Sequence, residues 1–427
     1  MARWLYNLLL HFLLPLVYLR LFWRGRTTPA YKHNIAERFG GHQGLPKNGI
    51  LIHAVSLGET LASQPLVNAL LAQYPQYPLI ITNTTATGAE RARAIWGNKV
   101  HQCYLPYDYP WAMQRFIKHC QPRLVIIIET ELWPNFLAKL HQQHIPSLLA
   151  NARLSAKSAQ GYGKIRALVT PMLKSLSVLA AQDEATAERF LALGTPPSTV
   201  TVTGSLKFDL SIPEHLPQRA AELKASWQLH GRPIWVAAST HDGEDIVILD
   251  AFKLIQMAFP NALLLLVPRH PERFDKVAEL IAKQGFSMAR RSIKQAVSPS
   301  VAVFLGDSMG ELLLWLALAD VAFIGGSLVN VGGHNPLEPA ALAVPMVTGL
   351  TMFNFQQITD TLMAAGALKQ GSDSASLARV VCDWLQHPEQ KQKDGQAGFQ
   401  VVLANRGALA KHLAIVDRLL KSSMPCM

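Results

Sequence analysis

Short apolar runs alternate with amphipathic stretches along most of the chain. In the first half, from Gly49 to about Asp209, the runs end at polar residues and are separated by segments with helical spacing. This alternation predicts βαβ units and a parallel sheet with helices on its faces. The predicted strands of this half are Ile50–Val55, Leu79–Thr82, His101–Tyr104, Leu124–Ile128, Ser147–Ala150, Leu176–Ala180 and Val200–Thr203.

A second alternating series begins at Pro233, after the proline-bearing stretch Leu-Ser-Ile-Pro-Glu-His-Leu-Pro that follows Asp209. Such a stretch is typical of a linker, so we predict an α/β chain with domains over residues 25–212 and 213–427. Helices are expected between the strands and over Leu409–Leu420. The strands predicted for the second domain are Ile234–Ala238, Ala262–Val267, Val301–Leu305, Val321–Ile324 and Pro345–Thr348.

The N-terminal residues 1–24 form a separate apolar segment. The run from Trp4 to Phe22 is flanked by arginines and lacks a small-residue cleavage site, so it predicts an uncleaved membrane anchor. It is either a short single span or a helix that lies in the membrane interface; an ordinary buried helix is the alternative. Interfacial aromatics are expected at Trp4, Tyr6, Tyr18 and Trp23. A basic cluster predicts contact with the anionic, cytoplasmic membrane surface: Arg20, Arg24, Arg26, Lys32 and Arg38.

The charge and cysteine content of the chain indicate which kinds of molecule it binds and in which compartment it works. The net charge is +11 and the pI is about 9.5, which favours binding of polyanions, lipid surfaces or phosphorylated substrates. No zinc-knuckle spacing, aromatic RNA-binding motif or long basic run is present, so nucleic acid is not expected. The cysteines Cys103, Cys120, Cys382 and Cys426 are scattered, which indicates a reducing compartment.

The corner Ser56-Leu57-Gly58-Glu59 follows the first predicted strand and opens a helix. An acid in a first helical turn is often only a capping residue. Ligands of open parallel sheets, however, bind outside the carboxyl ends of the strands, and a helix N-terminus favours an ionised carboxylate. The corner alone leaves both roles for Glu59 open.

In the second half, three strand ends carry residues suited to a nucleotide. Arg269 follows a buried strand and is a candidate phosphate clamp, with a surface turn as the alternative. A Gly-Asp-Ser segment at residues 306–308 can start a helix that meets an anion. Gly325-Gly326 and Gly332-Gly333 allow close approach of a phosphate, and Asn335 and Glu338 can bind a ribose. No G-x-G-x-x-G, P-loop or D-x-D motif occurs, which disfavours dinucleotide, P-loop and metal–diphosphate sites.

Together these segments resemble the 3-deoxy-D-manno-octulosonic acid (Kdo) transferase family of lipopolysaccharide biosynthesis. The resemblance rests on the motifs at residues 56–59, 129–135, 151–155, 204–209, 268–274 and 332–339 and extends along almost the whole chain. It implies a GT-B fold, with two Rossmann-like domains facing a cleft. It further implies an inverting, metal-independent transfer of Kdo from CMP-Kdo to the lipid A precursor lipid IVA, without a cofactor, on the cytoplasmic face of the inner membrane.

The resemblance also assigns roles by motif position. Glu59 would be the general base, and Glu129 and Lys207 would stabilise the transition state. Candidate acceptor-side residues are Ser56, Gly58 and Arg153. The expected CMP-binding residues are Pro268, Arg269, Met309, Gly310, Glu311, Asn335, Pro336, Leu337 and Glu338.

Several residues have plausible structural roles. Glu131, Trp133 and Asn135 are candidates for packing alone, and no pairing into metal ligands is expected for His53, His241, His270 and His334.

Two other function classes share part of the sequence pattern. A sugar-nucleotide epimerase of the GT-B fold would have no need of an anchor, and a non-catalytic membrane-bound nucleotide or lipid binder would tolerate loss of Glu59.

Overall fold

The computed structural model describes residues 1–27, without the side chain of Thr27, and residues 34–422. Contacts divide the chain into two compact units: Met1–Asp209 together with Arg406–Met427, and Leu210–Asn405. The first change of unit, after Asp209, lies three residues from the predicted boundary. Lys32 of the predicted basic cluster and Cys426 lie outside the described residues.

The first unit is built on a seven-stranded parallel sheet of order β3-β2-β1-β4-β5-β6-β7. Alternate residues of β1 point to opposite faces: Leu51 packs in one apolar cluster, and Ile50 and Ile52 pack in the other. Because helices cover both faces, the interior strands are largely apolar and buried. The strands are β1 (Ile50–His53), β2 (Leu79–Asn83), β3 (His101–Tyr104), β4 (Leu124–Ile128), β5 (Ser147–Ala152), β6 (Val178–Ala181) and β7 (Val200–Val202).

The first helix lies against this unit along one side only. Its side chains Leu10, Leu14 and Val17 pack in a cluster around Phe39 and Tyr109. The helices of the unit are α1 (Ala2–Thr27), α2 (Leu57–Gln73), α3 (Ala86–Trp96), α4 (Pro110–Cys120), α5 (Pro134–Gln142), α6 (Ala156–Lys164), α7 (Arg166–Lys174), α8 (Glu184–Ala192) and, from the C-terminus, α17 (Ala408–Ser422).

The second unit has its own seven-stranded parallel sheet, of order β10-β11-β9-β8-β12-β13-β14. Trp235 and Ala237 pack with Ile248 and Phe252 in its apolar cluster. The strands are β8 (Ile234–Thr240), β9 (Leu263–Pro268), β10 (Met288–Arg290), β11 (Val303–Leu305), β12 (Val321–Ile324), β13 (Met346–Thr348) and β14 (Leu368–Gln370). The helices are α9 (Leu216–Ser226), α10 (Glu244–Ala258), α11 (Phe274–Lys283), α12 (Leu312–Leu318), α13 (Leu337–Ala341), α14 (Gln356–Ala364), α15 (Ser374–Gln386) and α16 (Pro388–Asn405).

The predicted strands are all present, and their ends either coincide with those of the structure or differ by one or two residues. The prediction missed β10 and β14, which are three residues long and form the two edges of the second sheet. Only one residue of each strand is buried, Ala289 in β10 and Leu368 in β14, so they lack the apolar run that marks an interior strand.

The grouping of residues 406–427 with the second domain differs from the structure. Helix α17 belongs to the first unit, where Ile415, Val416 and Leu419 pack in the cluster that contains β1 residues. Its start is fixed by Asp209, whose carboxylate accepts the N–H groups of Gly407 at 2.8 Å and Leu409 at 2.7 Å. The amphipathic pattern predicted the helix but not which core its apolar face would join.

Candidate active site

The corner after β1 holds Glu59 by three local hydrogen bonds. Ser56 is the N-cap of α2, and the Glu59 N–H donates to its Oγ at 3.4 Å. In return the Ser56 hydroxyl donates to Oε1 of Glu59 at 2.7 Å, and the Val55 N–H donates to Oε2 at 2.7 Å. The pair differs from a full capping box, because the Glu59 carboxylate accepts the Val55 N–H and the Ser56 hydroxyl and not the backbone N–H of Ser56. Glu59 nonetheless binds a backbone N–H at the helix start, as a capping residue does, and these hydrogen bonds fix the carboxylate in one orientation. Gly58 is exposed at the same corner, where an added Cβ would meet only the Ser56 hydroxyl, 3.9 Å away.

Burial makes this carboxyl unusually basic. Loss of solvent raises the pKa of Glu59 to about 7, against the lowering effect of the Ser56 and Val55 hydrogen bonds. The negative charges of Glu131 and Glu129 raise it further. A carboxyl with a pKa near neutrality exchanges protons readily at physiological pH, which is what a general base requires.

Glu129 occupies the corresponding corner after β4, the strand that neighbours β1. Its backbone is left-handed, with φ of 61°, and its N–H donates to the Ala150 carbonyl at 3.0 Å. The switch in strand order between β1 and β4 is where ligands of open parallel sheets bind. Oε1 of Glu129 lies 3.8 Å from Nζ of Lys207, so the structure brings these two predicted site residues together.

Lys207 is carried by a short 3-10 segment, Leu206–Phe208, after β7. The Leu206 N–H donates to Oδ1 of Asn151 at 3.1 Å, which joins this segment to the end of β5. Asn151 has a left-handed backbone, with φ of 53°. Burial lowers the pKa of Lys207, the Glu129 carboxylate raises it, and the Arg153 guanidinium lowers it. Arg153 is exposed and contributes positive charge to the same region.

The residues that follow Glu129 have partly structural surroundings. Burial raises the pKa of Glu131, and the charge of Glu129 raises it further. Asn135 is buried, and its side-chain amide donates to the Asp108 carbonyl at 2.6 Å and to Oδ1 of Asn7, on α1, at 2.6 Å. Asn135 thus joins the start of α5 to the N-terminal helix.

In the second unit, Pro268 ends β9 and Arg269 follows it. The Arg269 N–H donates to the Thr240 carbonyl at 3.0 Å, and Arg273 forms a salt bridge with buried Asp245. The segment after β9 is thereby fixed to the end of β8. Burial raises the pKa of Glu338, whereas the Asn335 amide and the Arg269 guanidinium lower it. Arg269 and Asn335 therefore both stabilise the ionised carboxylate of Glu338. Pro336 and Leu337 lie between Asn335 and Glu338 at the start of α13, and Leu337 is buried.

The segment at residues 306–311 differs from the prediction. The helix α12 begins only at Leu312, and Asp307 binds the Ser292 N–H at 2.8 Å and Arg290 rather than leaving a free helix start. Glu311 accepts two hydrogen bonds from Arg291, at 2.8 and 2.7 Å. Met309 and Gly310 are exposed at this turn. Ion pairs within the unit thus engage both carboxylates, including Glu311, which is one of the expected CMP-binding residues.

At the first glycine doublet, part of the backbone binds a carboxylate of the protein itself. The carboxylate of buried Glu244 accepts the N–H groups of Gly326 at 2.7 Å, Ser327 at 3.0 Å and Leu328 at 2.9 Å. At Gly325 a Cβ would lie 2.3 Å from the Ser239 carbonyl oxygen, so close backbone packing explains that glycine. Sequence patterns gave no signal for this role of Glu244, because these three partners lie more than 80 residues away.

Three histidines of this unit contact one another. Nε2 of His241 lies 2.8 Å from Nε2 of His334, and the His270 ring contacts the His241 ring edge-on. Among residues 1–27 and 34–422 there is no group of three or more His, Cys, Asp or Glu arranged to hold a metal ion. In the first unit, His53 is buried, and its Nδ1 lies 3.0 Å from the Thr82 hydroxyl.

The N-terminal helix is the one segment, within the described part of the chain, that is long and apolar enough to cross a membrane. Its outer side exposes Trp4, Phe12 and Trp23, at 67%, 75% and 72%. Tyr18 stacks on Phe39, and the Tyr6 hydroxyl donates to Asp108 at 3.1 Å, so these two predicted interfacial aromatics also contact the protein. Arg38 does not belong to a basic surface: it is buried over the Tyr104 ring and donates to the Thr84 carbonyl at 3.1 Å.

Comparison with known proteins identifies both the fold and the family. A putative UDP-N-acetylglucosamine 2-epimerase from Listeria monocytogenes matches with a TM-score of 0.54 at 15% identity, over 88% of this chain and 97% of that one. This likeness concerns the fold alone and, with the two parallel sheets, confirms the predicted GT-B class.

Proteins found by sequence similarity are more similar to this chain than that structure is. Residues 33–210 match the family described as 3-Deoxy-D-manno-octulosonic-acid transferase (kdotransferase). The 3-deoxy-D-manno-octulosonic acid transferase of Haemophilus influenzae is 42% identical, with 99% of this chain and 100% of that relative aligned. The enzyme of the same name from Bordetella pertussis is 36% identical, over 98% and 99% of the two chains. Identity at this level along the whole length shows that the chain belongs to the 3-deoxy-D-manno-octulosonic acid transferase family, which makes it a glycosyltransferase.

Proposed function

We propose that the protein transfers Kdo from CMP-Kdo to a hydroxyl group of the lipid A precursor lipid IVA, with inversion, with Glu59 as the general base. The observation that carries this proposal is the Glu59 carboxylate, which is fixed by Val55 and Ser56 and whose pKa is raised to about 7. It combines fixed geometry with a basicity matched to neutral pH.

The reaction is a single displacement. Glu59 removes the proton of the acceptor hydroxyl as its oxygen forms a bond to the anomeric carbon of Kdo. The bond from that carbon to the phosphate oxygen breaks, and CMP leaves with the electron pair. Attack opposite to the leaving group inverts the anomeric centre, and the proton held by Glu59 passes to solvent.

Lys207 and Glu129 supply the charge stabilisation in this proposal. Lys207 neutralises the carboxylate of the sugar acid or the leaving phosphate as charge shifts in the transition state. Its contact with Glu129 at 3.8 Å opposes the effect of burial and so favours the charged amine. Arg153, exposed in the same region, is a candidate for the phosphate of the acceptor.

The second unit binds the nucleotide in this proposal. CMP contacts Pro268 and Arg269, the turn of Met309, Gly310 and Glu311, and residues 335–338. A guanidinium such as that of Arg269 binds a phosphate through two hydrogen bonds. CMP carries a single phosphate, and in this proposal Arg269 supplies the positive charge beside it, so we expect transfer without a metal.

The anchor presents the protein to a lipid acceptor. The polar side chains of α1 are bound to the first unit, Tyr6 to Asp108 and Asn7 to Asn135, whereas its outer apolar side is exposed. A helix held in this way lies along the membrane interface with its apolar side in the lipid. Together with the net charge of +11, this supports attachment to the anionic cytoplasmic face of the inner membrane.

One assay separates this function from the two alternatives. The protein is incubated with CMP-Kdo and a tetra-acylated lipid A precursor, and CMP release and the mass of the lipid are measured. We expect both CMP and a heavier lipid; an epimerase or a pure binder gives no heavier lipid. The variant Glu59→Gln should lose transfer while keeping its affinity for CMP, whereas Glu188→Gln, an exposed site on α8, should behave as wild type. Turnover close to wild type in Glu59→Gln would remove Glu59 as the base.

A further inference from the structure

Three histidines follow three adjacent strands of the second sheet. His241 comes directly after β8, His270 comes two residues after β9, and His334 lies in the loop after β12. The rings of His241 and His334 are nearly parallel, with an interplanar angle of 11°, and their Nε2 atoms are 2.8 Å apart. His270 approaches His241 at 5.2 Å between ring centroids. The family assignment gives none of these side chains a role.

The pair lies where the strand order reverses. From β8 the chain continues to β9 on one side, and later returns to β12 on the other side of β8. In open parallel sheets, the crevice outside the carboxyl ends of the strands at this switch point is the ligand site. His241 and His334 come from the two strands that flank the reversal, and both remain partly accessible.

A contact of 2.8 Å between two Nε2 atoms restricts the protons that the pair can hold. One Nε2 must carry a proton and the other must accept it, because each imidazole nitrogen is either a donor or an acceptor. A further proton can bind at Nδ1 of the donor ring and leave this hydrogen bond intact. A second further proton would place two N–H groups against each other, so the pair can carry one positive charge and not two.

The surroundings keep the pair neutral in the absence of an anion. Burial lowers the pKa of both His241 and His334, and the positive charge of the neighbouring Arg269 lowers both further. The other charged groups around the pair are Arg273, Lys276, Asp242, Glu244, Asp245 and Glu338. A negatively charged ligand beside Arg269 would offset the positive charge of the guanidinium and raise the pKa of the histidine pair, which favours protonation of the pair.

We propose that the His241–His334 pair takes up one proton when the phosphate of the nucleotide binds beside Arg269, and so forms a second cationic contact for that phosphate. The inference rests on the proposed function, because it takes the second unit to be the nucleotide-binding unit. It adds to that function a proton linkage: the donor binds more weakly as pH rises, independently of the ionisation of Glu59 in the first unit.

The test uses the full-length protein and cytidine 5′-phosphate methyl ester, a phosphodiester that, like the donor, has no titratable group near neutrality. Binding is measured by calorimetry at pH 6.5, close to the ordinary pKa of histidine, in two buffers with different heats of ionisation. The dependence of the binding enthalpy on the buffer gives the number of protons taken up. We expect uptake that approaches one proton for the wild type and none for cytidine, which lacks the phosphate.

His241→Asn and His334→Gln should each abolish the uptake and weaken binding about tenfold at pH 6.5, the effect of about one pKa unit. Their affinities should then be nearly independent of pH between 6 and 8, which a merely structural role would not produce. The matched control is His230→Asn, an exposed histidine of the same unit. If the wild type binds the ester without proton uptake, the inference is wrong but the proposed function stands. The same holds if proton uptake persists in both variants. Uptake with free Kdo but not with the ester overturns the assignment to the phosphate. Failure of both the ester and CMP to bind overturns the proposed function as well.

Discussion

The backbone N–H of Asn151 donates a hydrogen bond of 3.0 Å to Nε2 of His412, although 261 residues separate the two in sequence. Nδ1 of His412 lies 2.7 Å from the Ala408 carbonyl, so the ring carries its proton on Nδ1 and accepts at Nε2. Asn151 in turn accepts the Leu206 N–H. The C-terminal helix therefore holds the strand end that positions Lys207, the cation beside Glu129.

Replacement of His412 should impair the first unit without affecting nucleotide binding. His412→Ala leaves the buried Asn151 N–H without an acceptor, which costs about 1–3 kcal/mol of unfolding free energy. We expect a lower kcat with an unchanged Kd for CMP, because the Lys207 segment loses its support. Lys411→Ala, on the exposed side of the same helix, is the control. Full kcat in His412→Ala would show that the contact does not position the site.

The pH–rate profile should report Glu59. Because the pKa of Glu59 is raised to about 7, kcat/KM of the wild type should fall about tenfold per pH unit below that value as the base becomes protonated. Ser56→Ala removes a hydrogen bond that favours the carboxylate, so the acid limb should move to higher pH. The variant also loses the N-cap of α2, at a cost of about 1 kcal/mol in stability. An acid limb that stays at the wild-type pH would contradict the assignment of this limb to Glu59.

Glu244 should be important for the stability of the second unit. Its carboxylate accepts four backbone N–H groups, those of His241, Gly326, Ser327 and Leu328. In Glu244→Gln one acceptor oxygen becomes an NH2 group that faces N–H groups, so we expect a loss of about 2–4 kcal/mol in denaturant unfolding. Glu279→Gln, exposed on α11, should change stability little. Equal stability of the two variants would refute this role.

The exposed side of α1 should determine membrane binding. Replacing Leu9 and Phe12, which are 57% and 75% exposed, by serine removes apolar area from the face assigned to the lipid. We expect binding to anionic vesicles to fall about hundredfold in a sedimentation assay, while the affinity for CMP stays unchanged. Met257→Ser removes an apolar side chain that is 81% exposed on α10 and serves as the control. Vesicle binding that is unaffected by the double substitution would exclude this face.

Local patterns in the sequence predicted much of this protein. Interior strands such as β1 and β8 are buried along their whole length, and consecutive apolar residues in the sequence predict such burial. The hydrogen bonds between Ser56 and Glu59 span one helical turn and are equally local. The family motifs led to the correct class of enzyme, and the anchor run predicted α1.

Only the tertiary structure decided which distant residues meet. His241 and His334 are 93 residues apart, and Asn151 and His412 are 261 apart; each pair is joined because particular strands and helices become neighbours. The same arrangement of distant elements determines three other features that the sequence did not reveal. These are the edge strands β10 and β14, the packing of α17 against the first unit, and the binding of a glycine loop by Glu244. A residue pattern specifies how deeply a side chain is buried, whereas its partner depends on the order of strands in the sheet, which no short segment of sequence contains.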